Sequence, residues 1–401
     1  MMNESQATIL VVDDKKVNRM ILEKHLQNAG FTNIIHADNG EQALELADQY
    51  FPDVILLDIV MPRLDGFEVC KIIKQRERTK MIPVVMVTTL EDKQSKLRSI
   101  EAGADDILNK PVDSLELTAR VRSLINVKQY YEQIQHLNWQ LMESIKNAER
   151  IQRALLPTKF PEVPGIAFDA YYQPAEYVGG DYYNTFLLPS GDVCMYIADV
   201  TGHQFDAAML TVFLKEVISN YSIQVSEREQ AFVPAECLSV LERAFKREGF
   251  PDEIFITIGV AVYHADNQRL SYSSAGFAQA PIVYGGKEIR RLFCPGRLIM
   301  SFRFAGDEND TGLEEPFHTV ETYLEEGEGI FFYTDGLTEQ CDTQGQQPFG
   351  VVRIEEILGK VSNNNQQDVI AAVVGELQAF SGTDKFQDDI AMFTVFRSFI
   401  E

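Results

Sequence analysis

Paired cysteines, long apolar runs and excess positive charge are all missing from this chain of 401 residues. The five cysteines (Cys70, Cys194, Cys237, Cys294 and Cys341) are scattered, odd in number and never spaced as Cys-x-x-Cys. They read as reduced thiols, which points to a cytoplasmic protein. No stretch approaches the ~20 apolar residues that cross a bilayer, so no membrane partner is expected. The polar segment Met1 to Ala7 leads straight into a strand-like run, with no secretory signal pattern. Lys and Arg number 36 against 60 Asp and Glu, a net charge of −24. That balance argues against a nucleic-acid-binding output, which would need a basic face. Repeats and low-complexity segments are absent as well.

What is present is 45% apolar residues, enough for ordinary cores, on a length that suggests two or three domains. The acid surplus directs attention to individual carboxylates as cation ligands. Proline and glycine are missing from Asp113 up to Pro157, and there Val127, Tyr130, Ile134, Leu137 and Leu141 recur in steps of 3, 4, 3 and 4. This is a heptad seam. The spacing slips to 4 then 3 before Ala148, a stutter. A long helix is expected, with residues 126–157 forming a coiled-coil linker that pairs with a second copy in a homodimer. Residues 1–125 precede it as an input domain and residues 158–401 follow as an output domain.

In the input domain, the apolar runs Ile9–Val12, Val54–Leu57 and Pro83–Val87 alternate with helical spacings; shorter strands are expected at Asn33–Ala37 and Asp106–Leu108. Strict alternation implies a doubly wound, five-stranded parallel sheet. The strand ends carry Asp13-Asp14, Asp58, Thr88 and Lys110. Open α/β sheets place their chemistry at such ends. Asp13, Asp14 and Asp58 make an all-oxygen set suited to Mg²⁺. Thr88 and Lys110 could serve oxygens of a phosphoryl group carried on Asp58. With Met61-Pro62, Asp65-Gly66, Gly103-Ala104-Asp105-Asp106 and Lys110-Pro111, this stretch resembles the receiver domain of two-component response regulators. The resemblance implies Asp58 as phosphoacceptor for a sensor histidine kinase and Mg²⁺ on Asp13, Asp14 and Asp58. It further implies the Val60 carbonyl as a further ligand and a cis Lys110–Pro111 bond. The family's usual aromatic residue is replaced by Ile107.

The output domain has strand-like segments at Ile166–Tyr172, Tyr182–Leu188, Val193–Ile197, Ile254–Tyr263, Leu270–Ser274, Pro281–Tyr284, Gly329–Tyr333 and Ile390–Phe396. Helical segments are expected at Asp206–Ser219, Pro234–Arg247, Val352–Leu358 and Gln367–Phe380. Runs of strands and pairs of helices indicate an α+β architecture with layered sheets. Acids again sit at strand ends: Asp181 after Gly179-Gly180, Asp199 before Val200-Thr201-Gly202-His203, Asp335 before Gly336, and the pair Asp388-Asp389. Clustered carboxylates repel one another, and oxygen ligands favour Mg²⁺ or Mn²⁺ as the neutralising ions.

Together with the leading Ile151-Gln152-x-x-Leu155-Leu156-Pro157, these motifs resemble the SpoIIE/RsbU-type branch of the PPM metal-dependent serine/threonine phosphatases. The resemblance implies a two-sheet sandwich flanked by helices and two cations. Asp181, Asp199 and a possible Val200 carbonyl would serve them, with Asp335 and Asp388 on the second; Asp389 is the weaker choice of its pair. His203 is a secondary candidate for proton donation. Asn184, Gln204 and Phe277 depart from the family pattern. The implied substrate is a phosphoserine or phosphothreonine protein, such as a STAS-domain anti-sigma-factor antagonist. The alternative is a phosphatase-like adaptor that binds a sigma factor or other partner without catalysis.

Overall fold

The computed structural model describes residues 6–89, 93–201, 205–300, 316–361 and 369–398. The chain divides into two compact units, Met1–Met142 and Glu143–Glu401.

The first unit runs β1 (Thr8–Val12), α1 (Lys16–Asn28), β2 (Asn33–Ala37), α2 (Gly40–Tyr50), β3 (Val54–Asp58), α3 (Gly66–Gln75), β4 (Val84–Thr88), α4 (Lys93–Glu101) and β5 (Asp106–Asn109). Its five strands are parallel in the order β2-β1-β3-β4-β5. Alternation along the buried strands fills two cores. Leu10, Val12, Ile55, Leu57, Val84 and Met86 face the side covered by α2 and α3. Ile9, Val11, Val54, Leu56, Val85 and Val87 face the other. That second core is completed by Leu117, Val121 and Ile125. They stand at helical spacing on α5 (Ser114–Leu155), one uninterrupted helix of 42 residues. Beyond Ile125 the seam residues Val127, Tyr130, Ile134, Leu137 and Leu141 are all exposed.

The second unit contains β6 (Ile166–Gln173), β7 (Tyr182–Leu187), β8 (Val193–Val200), α6 (Phe205–Glu227), α7 (Pro234–Glu248), β9 (Phe255–His264), β10 (Arg269–Ala275), β11 (Ile282–Tyr284), β12 (Arg290–Arg291), β13 (Ile299–Met300), β14 (Val320–Tyr323), β15 (Gly329–Tyr333), α8 (Asp335–Glu339), α9 (Val351–Val361), α10 (Val369–Ser381) and β16 (Ile390–Arg397). One sheet has the order β14-β10-β9-β8-β7, with β13 also on β9; the other is β12-β11-β15-β16-β6. Period-two alternation joins them. On β8, Val193, Met195 and Ile197 point into the core between the sheets, while Cys194, Tyr196 and Ala198 pack beneath α6 and α7. On β16, Ala391, Phe393 and Val395 point between the sheets, while Ile390, Met392 and Phe396 pack beneath α9 and α10. Phe332 and Phe393 stack at 4.5 Å in the middle.

The expected sandwich flanked by helices is the one observed. Three short strands, β12 to β14, escape a reading by alternation because two- and four-residue edge strands carry too little of it. The helix expected to stop at Ser219 runs on to Glu227. Asp335, expected at a strand end, opens the short helix α8.

Candidate functional site

In the first unit, parallel pairing places Val12 beside Leu57, so Asp13 and Asp58 emerge at the same rim. Asp13, Asp14 and Asp58 each bring a carboxylate oxygen within 4.8 Å of the others. Lys110 Nζ lies 2.7 Å from Asp13 Oδ2 and 2.9 Å from Asp58 Oδ1. Asn18, not singled out from the sequence, donates to both Asp13 oxygens at 3.0 and 2.9 Å. Burial raises the Asp58 carboxyl above its usual range and the Asp13 charge adds to this, while Lys110 opposes both. Burial disfavours the Lys110 ammonium, but its hydrogen bonds to Asp13 and Asp58 outweigh that and raise its pKa. Thr88 is buried at the end of β4, and its carbonyl accepts from the Lys110 amide at 2.7 Å. The Lys110–Pro111 bond is cis. Val60 is exposed beside Asp58, and its amide hydrogen-bonds that carboxylate. Ile107 sits on β5 opposite Met86 and is partly buried against the α2–α3 core. The loop behind Asp58 explains its own glycine: a Cβ on Gly66 would overlap the Asp58 carbonyl. Asp65 and Glu68 form a capping box that starts α3 there.

In the second unit, Asp181, Asp199, Asp335 and Asp388-Asp389 come from four separate stretches of chain to one rim. Thr334, at the end of β15, ties two of these stretches together. Its hydroxyl donates to Asp181 Oδ2 at 2.5 Å and accepts from the Ala391 amide at 2.9 Å. Val200 closes β8, and its amide donates to the Gly180 carbonyl at 3.3 Å, joining the Asp199 and Asp181 segments. A cleft of about 450 Å³ opens among residues that include Gly180, Asp199, Val200, Gln387, Asp388 and Asp389.

The electrostatics are unlike those of the first site. Burial pushes Asp181 well above the carboxylate range, and the charge of Asp199 adds to it. Burial, then Asp335, Asp388, Asp389 and Glu339, push Asp199 up to about 7. Burial, Asp388 and Glu339 raise Asp335. No lysine or arginine is among the groups acting most strongly on these three. Among the described residues, only the first site brings three ligand atoms within 4.8 Å of one another. Lys110 draws that cluster together, whereas the groups acting most strongly on the second cluster are like charges. Oxygen donors of like charge, from the buried Asp181 to the exposed Asp388, gathered at the rim of a cleft are a donor set that divalent cations complete.

The pair Asp388-Asp389 divides its work. Asp389 accepts from the amides of Ala175 at 2.8 Å and Gly180 at 2.6 Å. Its carboxylate lies so close to Gly179 that a Cβ there would overlap it. Asp389 therefore clamps the glycine turn, which leaves the exposed Asp388 as the freer carboxylate. Glu339 was missed in the sequence, although it stands four residues after Asp335, one helical turn along α8. Asn184 does not face this cluster: it is buried and donates to Tyr196 Oη at 3.2 Å. Phe277 is buried in the core between the sheets. His203, Gly202 and Gln204 lie outside the described residues.

Strand order, strand-end acids and the paired sheets define the class of each unit: a doubly wound α/β domain with an acidic rim, followed by a two-sheet sandwich flanked by helices with a second acidic rim. Residues 9–122 match the response regulator receiver domain family. Residues 189–398 match the stage II sporulation protein E (SpoIIE) family, over more than half the chain, and the chain belongs to that family. Over 122 residues it is 44% identical to the response regulator PleD of Caulobacter vibrioides, covering 30% of this chain and 27% of PleD. Over 117 residues it is 39% identical to the alkaline phosphatase synthesis transcriptional regulatory protein PhoP of Bacillus subtilis, covering 29% and 48%. The chain thus spans about half or less of the length of the curated relatives it matches. The SiaA-PP2C domain of Pseudomonas aeruginosa shares the fold of the second unit, with a TM-score of 0.54 at 20% identity, covering 65% of this chain and 98% of that one. No described helix is long and apolar enough to cross a membrane.

Proposed function

We propose that this chain is a response regulator whose output is dephosphorylation of a phosphoserine or phosphothreonine protein, namely a STAS-domain anti-sigma-factor antagonist. The observation that carries this reading is the pair of separate acidic sites, one with a built-in ammonium and one without. In the first, Asp58 attacks the phosphorus of a histidine kinase's phosphohistidine, and the imidazole nitrogen leaves. Asp13 and Asp14 hold Mg²⁺ with Asp58, and the Val60 carbonyl is a further ligand. Lys110 and Thr88 hold the phosphoryl oxygens.

In the second site, Asp181, Asp199, Asp335 and Asp388 hold two Mg²⁺ or Mn²⁺, with the Val200 carbonyl as an additional ligand. Bound there, the cations supply activated water and offset phosphoryl charge. Asp389 and Thr334 keep the ligands in place, and the cleft admits the phosphorylated side chain. The leaving alkoxide takes its proton from solvent at the cleft or from His203. The test is mass spectrometry of a serine-phosphorylated STAS-domain protein incubated with the chain. Loss of the phosphate with Mn²⁺ and its retention in EDTA are expected; retention in both, with complex formation intact, favours the adaptor reading.

Residues 126–157 are proposed as the dimerising linker between the domains 1–125 and 158–401. An exposed stripe of Val127, Tyr130, Ile134, Leu137 and Leu141 supports pairing with a second copy. Ile134→Asp with Leu137→Asp puts two charges into that seam. Sedimentation velocity is expected to show monomers at concentrations where the wild-type chain is dimeric. An unchanged dimer would place the contact elsewhere.

A further inference from the structure

A second cavity of the second unit, about 470 Å³, opens beside the end of β10; Phe277, Ala278, Leu292, Phe293 and Cys294 are among its walls. Strand register places it on the acidic rim. Ala275, the last residue of β10, pairs with Ile258, and Ile258 pairs with Ala198, the neighbour of Asp199. Two strand spacings, about 10 Å, therefore separate the end of β10 from the Asp199 segment. Two glycines let the chain close over that strand end. Gly276 has a φ of +63°, and a Cβ there would overlap the Leu298 side chain. A Cβ on Gly296 would overlap the Ser274 carbonyl.

None of the described residues that line this cavity is charged, in contrast to the acidic cleft on the same rim. Its hydroxyls and thiol are already paired. The Tyr272 hydroxyl hydrogen-bonds Ser274. Ser274 Oγ donates to the Phe277 carbonyl at 3.2 Å, and Cys294 Sγ donates to the His318 carbonyl at 3.2 Å. Burial raises the Cys294 thiol above its ordinary range, which keeps it protonated. Phe277, a departure from the family pattern, adds a buried ring, while Phe293 keeps its ring 69% exposed at the same hollow.

We infer that this cavity is a substrate subsite: it takes an apolar side chain of the phosphoprotein, aliphatic or aromatic, about three residues from the phosphorylated serine or threonine. This rests on the phosphatase reading above and specifies its substrate. An extended chain covers about 3.3 Å per residue, so three residues span the distance from the Asp199 segment to the end of β10. The phosphoryl group is the same on every phosphoserine protein, so selection among such proteins comes from contacts beside the acidic cleft. An uncharged hollow whose polar side chains are already paired rejects a charged side chain, which would lose its hydration there and gain no partner. It rewards an apolar one, and the exposed Phe293 ring is covered at the same time.

The test uses the full chain in Mn²⁺ with phosphoserine peptides of one polar sequence as probes. They differ only at the third residue before or the third residue after the phosphoserine, where Leu, Phe or Ser is placed. The readout is the ratio of kcat/KM for the Leu or Phe peptide to that for the Ser peptide. At one of the two positions the wild-type ratio is expected to reach at least about 10, the low end of what a methylene earns in an apolar pocket. Phe293→Ser removes the exposed ring, and Ala278→Trp fills the hollow from an exposed position. Both should bring the ratio towards one. Val352→Ser, at an exposed apolar residue of α9 that does not line the cavity, should keep the wild-type ratio. A variant that only disturbs the fold slows all the peptides together and leaves the ratio where it was. A wild-type ratio of one at both positions, or a wild-type ratio in both cavity variants, overturns this inference alone. A wild-type chain that releases phosphate from none of the peptides and from no p-nitrophenyl phosphate overturns the phosphatase reading and this inference with it.

Discussion

Asp199→Asn is expected to lower metal-dependent phosphate release by at least about 10²-fold, the scale on which single electrostatic contributors to a transition state act. The substitution is nearly isosteric and removes one charge from a cluster whose strongest mutual influences are repulsive. The metal-free protein should therefore not lose stability. Burial and the charges of Asp335, Asp388, Asp389 and Glu339 raise Asp199 to about 7 from 3.8. A carboxyl raised in the folded state favours folding below its unfolded pKa, and that contribution is lost as pH climbs through the folded value. In EDTA, the second unit of the wild-type chain should melt at lower temperature as the pH rises from about 5.5 to about 8. Saturating Mn²⁺ should flatten that slope, and Asp199→Asn should reduce it without metal. Scanning fluorimetry over this range measures both. A variant that retains turnover, or that melts well below the wild type in EDTA, would remove Asp199 from the ligand set.

Asp58→Asn is expected to abolish covalent phosphorylation of the chain by a small phosphodonor such as acetyl phosphate. A carboxamide forms no acyl phosphate, yet its oxygen can still accept from Lys110 Nζ, now 2.9 Å from Asp58 Oδ1. The fold of the first unit should be retained, because Asp58 is a buried carboxyl raised above its usual range. Intact-mass spectrometry checks the phosphoryl adduct. An adduct that persists at full stoichiometry would place the acceptor on another residue. The same variant should leave Mn²⁺-dependent hydrolysis in place while removing its response to beryllofluoride, since that response requires the Asp58 carboxylate.

The first site was legible in the sequence because its acids and Thr88 end short apolar strands and Lys110 follows the short strand β5. A parallel sheet brings such ends to one rim, so order along the chain becomes proximity in space. Asn18 escaped because nothing in a helix's first turn marks a residue that points back at Asp13. The strands of the sandwich were legible as apolar runs, but β8, β15 and β16 are apolar on both faces, so their pairing into two sheets followed from the family resemblance and not from alternation. The second site was legible in its acids but not in their division of labour. Asp388 and Asp389 are adjacent and chemically identical. What separates them is the Gly180 amide, 209 residues away, which holds Asp389. Asn184 departs from the family pattern, and its strand position turns it towards Tyr196.

The most direct test of control by the first domain over the second is phosphate release from a serine-phosphorylated STAS-domain protein in Mn²⁺, with and without beryllofluoride. Metal-dependent release that changes with beryllofluoride in the wild-type chain, and does not change in Asp58→Asn, is the predicted result. Release that is absent with every divalent cation tried, or that is identical with and without beryllofluoride in the wild type, would contradict it.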